Sequence, residues 1–290
     1  MDAFHGGYAI PALNVNNMET IQGVIAGAEK AQSPVFLQIS PGAIAYAGYN
    51  TITQMAFSAA RAAAIPVLVH LDHCRDESLI RRALADGFPS VMFDGSLLNI
   101  DDNARITRAL VDIAGAQGSI VEAELGQIGG SESMTLEQAR AHLTSPRVAA
   151  EFVAATGVQI LAPALGNLHR MPDDSVTLDL AHLSLVARAA DRPLALHGGS
   201  GIDERILAPA IAAGIGKVNI STRVGRAFAT GIREVWTAEP EQIDIRRFVG
   251  AARQRVAELS TRYASLCGSA GRARFSQSPK RWSDGMEEPE

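Results

Sequence analysis

From Tyr8 to about Arg233 the chain alternates short apolar, β-branched runs with longer alanine-rich stretches of helical pattern, and this alternation restricts the fold more than any other feature. Strands are predicted at Tyr8–Val15, Pro34–Ser40, Pro66–Asp72, Ser90–Asp94, Ser119–Leu125, Val158–Leu165, Pro193–His197 and Lys217–Ser221. Helical stretches fall between them, as in Met18–Ala31, Glu77–Ala85, Asp102–Ala116, Arg147–Ala155, Leu178–Ala190 and Arg205–Ala213. Strands joined in this way run parallel, with the helices as crossovers. Eight such units, with no sign of a reversal in strand order, predict a closed (β/α)₈ barrel. An open doubly wound sheet is the alternative, because periodicity alone does not show closure. Asp244–Cys267 reads as an extra helix added once the barrel is complete. Residues 1–270 are therefore assigned to one barrel with its C-terminal helix. Residues 271–290 form a polar, charged tail with little to bury, for which no packed structure is expected.

Composition narrows the class. The chain has 290 residues, 47% of them hydrophobic, enough to bury one large core and close to the roughly 250 residues of a single α/β barrel. The net charge is −5 and charges of both signs are interspersed. No basic block could neutralise a run of phosphates, which argues against a nucleic-acid partner. Apolar stretches stop well short of the roughly 20 residues of a membrane span, and the start Met1-Asp2-Ala3-Phe4-His5 lacks the pattern of a signal peptide. Cys74 and Cys267, the only cysteines, are too few for a disulfide framework. A reduced, cytoplasmic protein acting on a small molecule is expected.

In a barrel of this kind the reacting groups stand at the carboxyl ends of the strands. Seven of the eight predicted strands end in polar residues: Asn14, Ser40, Asp72 with His73, Asp94, Glu122 with Glu124, His197, and Asn219 with Ser221. Asn167 and His169 closely follow the sixth strand. A lone Asn or Ser there is an ordinary cap or turn residue, but capping does not call for two acids and an Asp-His pair converging from different strands. In the fifth strand, alternation puts Ile120, Glu122 and Glu124 on one face and Val121, Ala123 and Leu125 on the other. With the apolar face against the helices, both carboxylates point into the barrel mouth, where they require a cation or hydrogen-bond partners.

Three of the seven histidines, His73, His169 and His197, lie at or just beyond strand ends. Neutral imidazoles are good zinc ligands, and a catalytic zinc keeps three protein ligands with one position open. His70 lies inside the third strand and reads as a packed core residue. His5, His142 and His182 fall in terminal, loop or helical surroundings, and Cys74 reads as a buried, inert thiol. A glycine-rich turn, His197-Gly198-Gly199-Ser200-Gly201-Ile202-Asp203, follows the seventh strand and precedes a helix. Its backbone N–H groups suit an anion, and the loops after strands seven and eight are the habitual phosphate site of such barrels. Lys217-Val218-Asn219-Ile220-Ser221-Thr222 adds further donors. The segment Leu125–Pro146, rich in Gly, Ser and Glu, reads as a long loop of the lid or binding kind.

These segments resemble class II, zinc-dependent fructose- and tagatose-bisphosphate aldolases from Gly7 to about Arg272. The resemblance is carried by Tyr8-Ala9-Ile10-Pro11-Ala12-Leu13-Asn14, His70-Leu71-Asp72-His73-Cys74, Glu122-Ala123-Glu124-Leu125-Gly126, Gly166-Asn167-Leu168-His169, the turn after His197 and the Lys217–Thr222 segment. It implies that His73, His169 and His197 hold a catalytic Zn²⁺, and that Asp72 moves the proton of the C4 hydroxyl as the C3–C4 bond breaks or forms. It further implies that Glu132 exchanges a proton with the carbon of dihydroxyacetone phosphate, and that Asp94 and Glu124 stand where a second cation or alternative zinc position can sit. Gly198, Ser200, Asn219, Ser221 and Thr222 match phosphate and substrate contacts, and Asn14 and Ser40 join them as candidates from their strand ends. The enzyme implied is a lyase of carbohydrate metabolism, of the glycolytic type, working as a homodimer or homotetramer. Lys217 opens the eighth strand instead of ending it, so no covalent role is assigned to it.

Some positions depart from that pattern. Arg170 replaces a glycine whose backbone lies near phosphate and a monovalent cation, K⁺ or Na⁺; it is a candidate phosphate partner or a block to that cation. Arg223 stands where an acid is common and would add positive charge at the phosphate end. Gln159 and Pro163 are unusual in their strand, and the start of the chain so near the first strand implies a short or missing floor helix. Competing readings are an aldolase for another phosphorylated keto-sugar or keto-acid, a non-catalytic phosphate-binding barrel subunit, and a metal-dependent sugar-phosphate isomerase or epimerase.

Overall fold

The computed structural model describes residues 2–128, 136–167 and 178–273. Its eight strands close into a ring in sequence order, each parallel to its neighbours. After a short helix α1 (Asp2–His5) the chain runs through β1 (Ile10–Asn14), α2 (Met18–Lys30), β2 (Val35–Ile39), α3 (Pro41–Ala47), α4 (Tyr49–Ala62), β3 (Val67–Cys74), α5 (Glu77–Ala85), β4 (Ser90–Phe93), α6 (Ile100–Ala116) and β5 (Ile120–Leu125). It continues through α7 (Leu136–Ala141), α8 (Pro146–Thr156), β6 (Ile160–Pro163), α9 (Leu180–Ala190), β7 (Leu194–Leu196), α10 (Glu204–Ala212), β8 (Ile215–Ile220), α11 (Thr222–Ala238) and α12 (Ile245–Leu266). Pairing of β1 with β8, with Ile10 opposite Lys217 and Ala12 opposite Asn219, closes the ring and excludes the open sheet. Among the described residues no helix is long and apolar enough to cross a membrane.

Helix starts follow the side-chain chemistry of the residue before them. Asn17, Asp76, Asn99, Ser145 and Asp179 each accept a backbone N–H from the first turn of the helix that follows, satisfying donors with no intrahelical partner. Ser40 does the same for α3, with Pro41 in the first turn, so this strand end is also a helix start. The expected loop at Leu125–Pro146 contains a helix, α7. The sixth strand is shorter than predicted because Gln159 turns its side chain to the backbone, accepting from Val121 N at 2.8 Å and donating to Gly157 O.

Alternation along the strands separates two apolar compartments. Outward residues such as Leu13, Leu37, Val69, Leu71, Val91, Val121, Leu161, Leu196 and Val218 pack against the helices in the larger one. The smaller fills part of the lumen with Ala12, Phe36, Ile160, Ala162 and Ala195, joined by Ile10, Leu68 and Ile120. The remaining lumen positions are polar: Asn14, Gln38, His70, Asp72, Ser90, Glu122, Glu124, His197, Lys217 and Asn219 are all buried. Helix α12 crosses α2, where glycine permits near contact of the two backbones. A Cβ on Gly27 would sit 2.1 Å from Ala257 O, and one on Gly23 2.7 Å from Arg253 O. Gly27→Ala should therefore destabilise the protein by about 1–3 kcal/mol through overpacking, despite the better helix propensity of alanine. Gly250→Ala on α12, where a Cβ meets nothing within 4 Å, should instead stabilise by about 0.5–1 kcal/mol. Denaturant midpoints of the two variants would test this, and equal shifts would contradict the close crossing.

Candidate active site at the carboxyl end of the barrel

A cavity of about 730 Å³ opens at the carboxyl ends of the strands, lined among others by Asn14, Ser40, Asp72, His73, Asp94 and, from the far wall, Gly198, Ser200, Asn219, Ser221 and Thr222. Asp72 is delivered by the inward alternation of β3 (Leu68, His70, Asp72). Its Oδ2 accepts from Asn14 Nδ2 at 2.8 Å, and Asn14 Oδ1 in turn accepts from Gln38 Nε2 at 3.1 Å. Burial pushes the Asp72 carboxyl up, but the nearby His73, Lys217 and His197 and the Asn14 bond outweigh it and hold the group below the usual carboxylate range. Asp72 is thus kept as an acceptor at a buried position.

Simple alternation would turn His73 outward, away from the lumen. The β3–β4 register slips between Leu71 and Cys74, and His73 takes φ 47°, a left-handed conformation that is strained for a non-glycine residue. The imidazole swings into the mouth as a result, where its Nε2 lies 2.8 Å from His197 Nδ1. His197 reaches the same point from the end of β7, and its other nitrogen, Nε2, lies 2.7 Å from Glu122 Oε1. His73 Nδ1 likewise faces carboxylates, 3.6 Å from Glu124 Oε2 and 4.0 Å from Asp94 Oδ2. A carboxylate beside one imidazole nitrogen favours the proton there and a lone pair on the other. Two lone pairs at 2.8 Å repel unless a cation or proton stands between them. Asp72, His73 and His197 each offer a ligand atom within 4.8 Å of the others, as do His73, Asp94 and Glu124. This donor set of imidazole nitrogen and carboxylate oxygen fits a divalent ion such as zinc. His169 and Arg170, and with them the third expected ligand, lie outside the described residues, as does Glu132.

The two acids near His73 are tuned apart. Burial first, then Asp94, pushes the Glu124 carboxyl well above the ordinary range; its Oε1 accepts from Ile128 N while its Oε2 is buried with no hydrogen bond among the described residues. Burial also raises Asp94, but hydrogen bonds from Ser96 together with His73 and Arg75 hold it below its ordinary value. Arg75 Nε donates to Asp94 Oδ2 at 2.7 Å, and its half-exposed guanidinium lines the cavity, a contributor that sequence reasoning missed.

Across the mouth, Gly198 takes φ 64°, and a Cβ on Gly199 would meet Asn219 O at 2.7 Å, so this turn is pressed against β8 as only glycine permits. Ser200 Oγ accepts from Arg223 N at 3.2 Å, and Ser221 and Thr222 open α11 beside it. Arg223 is tied into the turn by its side chain. Its Nε donates to Ser200 O and its Nη1 pairs with Glu204 at 2.5 Å, a carboxylate that Arg262 shares, so the side chain braces the turn. Asn167 Nδ2 donates to the backbone oxygen of His197, fixing the end of β7.

Beneath the mouth the lumen holds a charged chain. Lys217 Nζ donates to Glu122 Oε2 at 2.7 Å and lies 3.4 Å from His70 Nε2, and His70 Nδ1 lies 2.7 Å from Ser90 Oγ. Burial first, then Lys217, pushes the His70 imidazole well below its usual range, so it stays neutral as a core residue. Truncating one partner of so fully buried an ion pair costs about 3–5 kcal/mol.

With this geometry in view, comparison with known proteins gives a consistent picture. Residues 1–272 match the family described as fructose-bisphosphate aldolase class-II. The chain is similar to the YdjI aldolase of Escherichia coli K12, with 34% identity, TM-score 0.84, and coverage of 94% of this chain and 96% of that one. It is also similar to a Coccidioides immitis protein ascribed fructose-1,6-biphosphate aldolase activity, with 33% identity, TM-score 0.83, and coverage of 93% and 95%. A fructose-bisphosphate aldolase of Campylobacter jejuni shares the fold at 22% identity and TM-score 0.76, over 92% of each chain.

The cysteines give this site a simple check. Cys74 and Cys267 are buried, and burial pushes the Cys74 thiol up to about 11 and the Cys267 thiol further. Both should stay silent to a thiol-disulfide reagent at pH 8 until the protein is unfolded, since the thiolate is the reactive form. Rapid modification of the native protein, mapped to Cys74, would place that thiol among the reactive groups of the mouth.

Proposed function

The chain belongs to the class II fructose-bisphosphate aldolase family, and we propose that it catalyses zinc-dependent, reversible cleavage of a ketose bisphosphate of the fructose or tagatose type to dihydroxyacetone phosphate and an aldehyde. The observation that carries this reading is the pair of imidazole nitrogens, His73 Nε2 and His197 Nδ1, facing each other at 2.8 Å beside Asp72 and across from a glycine-lined turn. His73, His197 and His169 would hold the zinc. Zinc, when bound, supplies Lewis acidity at the substrate's carbonyl and adjacent hydroxyl oxygens, where negative charge grows as the carbon–carbon bond breaks.

The chain's own residues do the rest. Asp72, kept ionised and aimed by Asn14, takes the C4 hydroxyl proton; its Oδ1 has acceptor capacity that no donor among the described residues uses. The carbon-side proton is assigned to Glu132. Gly198, Ser200, Ser221, Thr222 and Asn219 bind the phosphate of the dihydroxyacetone half through backbone and side-chain donors. Strand β3 stands opposite β7 in the ring, so Arg75 lies across the mouth from that cradle, where the other charged end of the ketose would sit. A cytoplasmic homodimer or homotetramer is part of the same proposal.

Cleavage of fructose and tagatose 1,6-bisphosphates, read by release of triose phosphate, tests the reading. Activity should vanish on complete removal of zinc and return with the metal. Asp72→Asn should lower kcat by about 10²–10⁴-fold with little loss of bound zinc. Turnover that survives chelation would refute the metal mechanism, and an Asp72→Asn variant as active as the parent would refute the proton transfer.

A further inference from the structure

We infer that Glu122 and Lys217 are positioning residues that select which nitrogen of His197 faces the metal. The inference rests on the reading above, in which His197 is a metal ligand. His197 is completely buried, and its ring could present either nitrogen to the mouth by a simple flip. Glu122 removes that freedom. Its Oε1 lies 2.7 Å from His197 Nε2, and a carboxylate oxygen can only accept, so the proton is held on Nε2 and the lone pair on Nδ1. Nδ1 is the atom that faces His73 Nε2.

Glu122 is itself anchored. Its second oxygen takes the Lys217 ammonium at 2.7 Å, and both side chains are buried to within 1% of full exclusion from solvent. The ammonium is steadied in turn by His70 Nε2 at 3.4 Å and by the Phe36 ring, whose centroid is 5.4 Å away. Since the ammonium donates, His70 keeps its own proton on Nδ1, toward Ser90 Oγ. One lysine thus sets the proton placement of two histidines, His70 directly and His197 through Glu122. Neither Glu122 nor Lys217 lines the cavity, so their action on the reaction runs through His197.

The first measurement uses the wild-type protein. Nitrogen-15 histidine spectra of the zinc-free form, with His197 assigned by its loss in His197→Gln, should show the proton on Nε2. A proton on Nδ1 would overturn the inference. The second uses Glu122→Gln/Lys217→Met, which removes both charges together and so leaves no lone buried ion. An amide can offer His197 either its oxygen or its NH₂, so the ring is no longer held one way. Zinc affinity by chelator competition should fall about 10–100-fold, while circular dichroism and the Tm of the zinc-free protein stay close to the parent. A folded double variant that holds zinc within about twofold of the parent would overturn the inference. If the variant fails to fold, the wild-type spectrum decides alone. Wild-type protein that binds no zinc would instead sink the aldolase reading, and the two failures are distinct because the proton position is read without metal.

Discussion

Hydrogen bonding between β1 and β8 closes the sheet, and every contact at the mouth presupposes that closure. In a closed ring, inward residues from all strands share one lumen, so groups far apart in sequence become neighbours. Asn14 reaches Asp72, 58 residues on, and His73 meets His197, 124 residues on. The lumen side chains are also buried, which raises what it costs to leave a charge unmatched. Part of the lumen is filled with small and aromatic apolar side chains, and the rest carries polar groups, most of which pair within the ring. Stability and chemistry are therefore arranged along one axis, packing toward one end and reactivity toward the other.

Most of this architecture was legible in the sequence because it is written in periods. Strand and helix alternation placed all eight strands, and inward alternation at Glu122 and Glu124 put two carboxylates inside the barrel, where both are buried. Glycine after His197 marked the tight turn correctly, since Gly199 has no room for a Cβ against β8. The strand-end residues Asp72, His73 and Asn219 do line one cavity, and His197 meets His73 just beneath it.

What the sequence hid depends on irregularity or on distance. Alternation sends His73 the wrong way; only the register slip after Leu71 and the left-handed backbone bring it in, and neither leaves a local signature. Lys217 reads as the opening of a strand, but β8 starts at Ile215, which puts Lys217 within the lumen, on the same face as Asn219. Its alternation with Asn219 was the available clue. The bracing role of Arg223 was hidden because its partner Glu204 lies on another helix, 19 residues earlier. Ser40 was read as a strand end and is equally the cap of α3.

The lumen ion pair has a consequence for how such a barrel can be built. Glu122 belongs to the fifth strand of the ring and Lys217 to the last, 95 residues downstream. A fragment ending after β5 would carry an inward carboxylate with no ammonium to meet it, and the complementary piece would carry the reverse. Pieces cut anywhere between β5 and β8 are therefore poor stand-alone units. Growth of the polypeptide from its N-terminus leaves the interior electrically incomplete until almost the whole ring has been synthesised, which favours late, all-or-none closure over stepwise assembly.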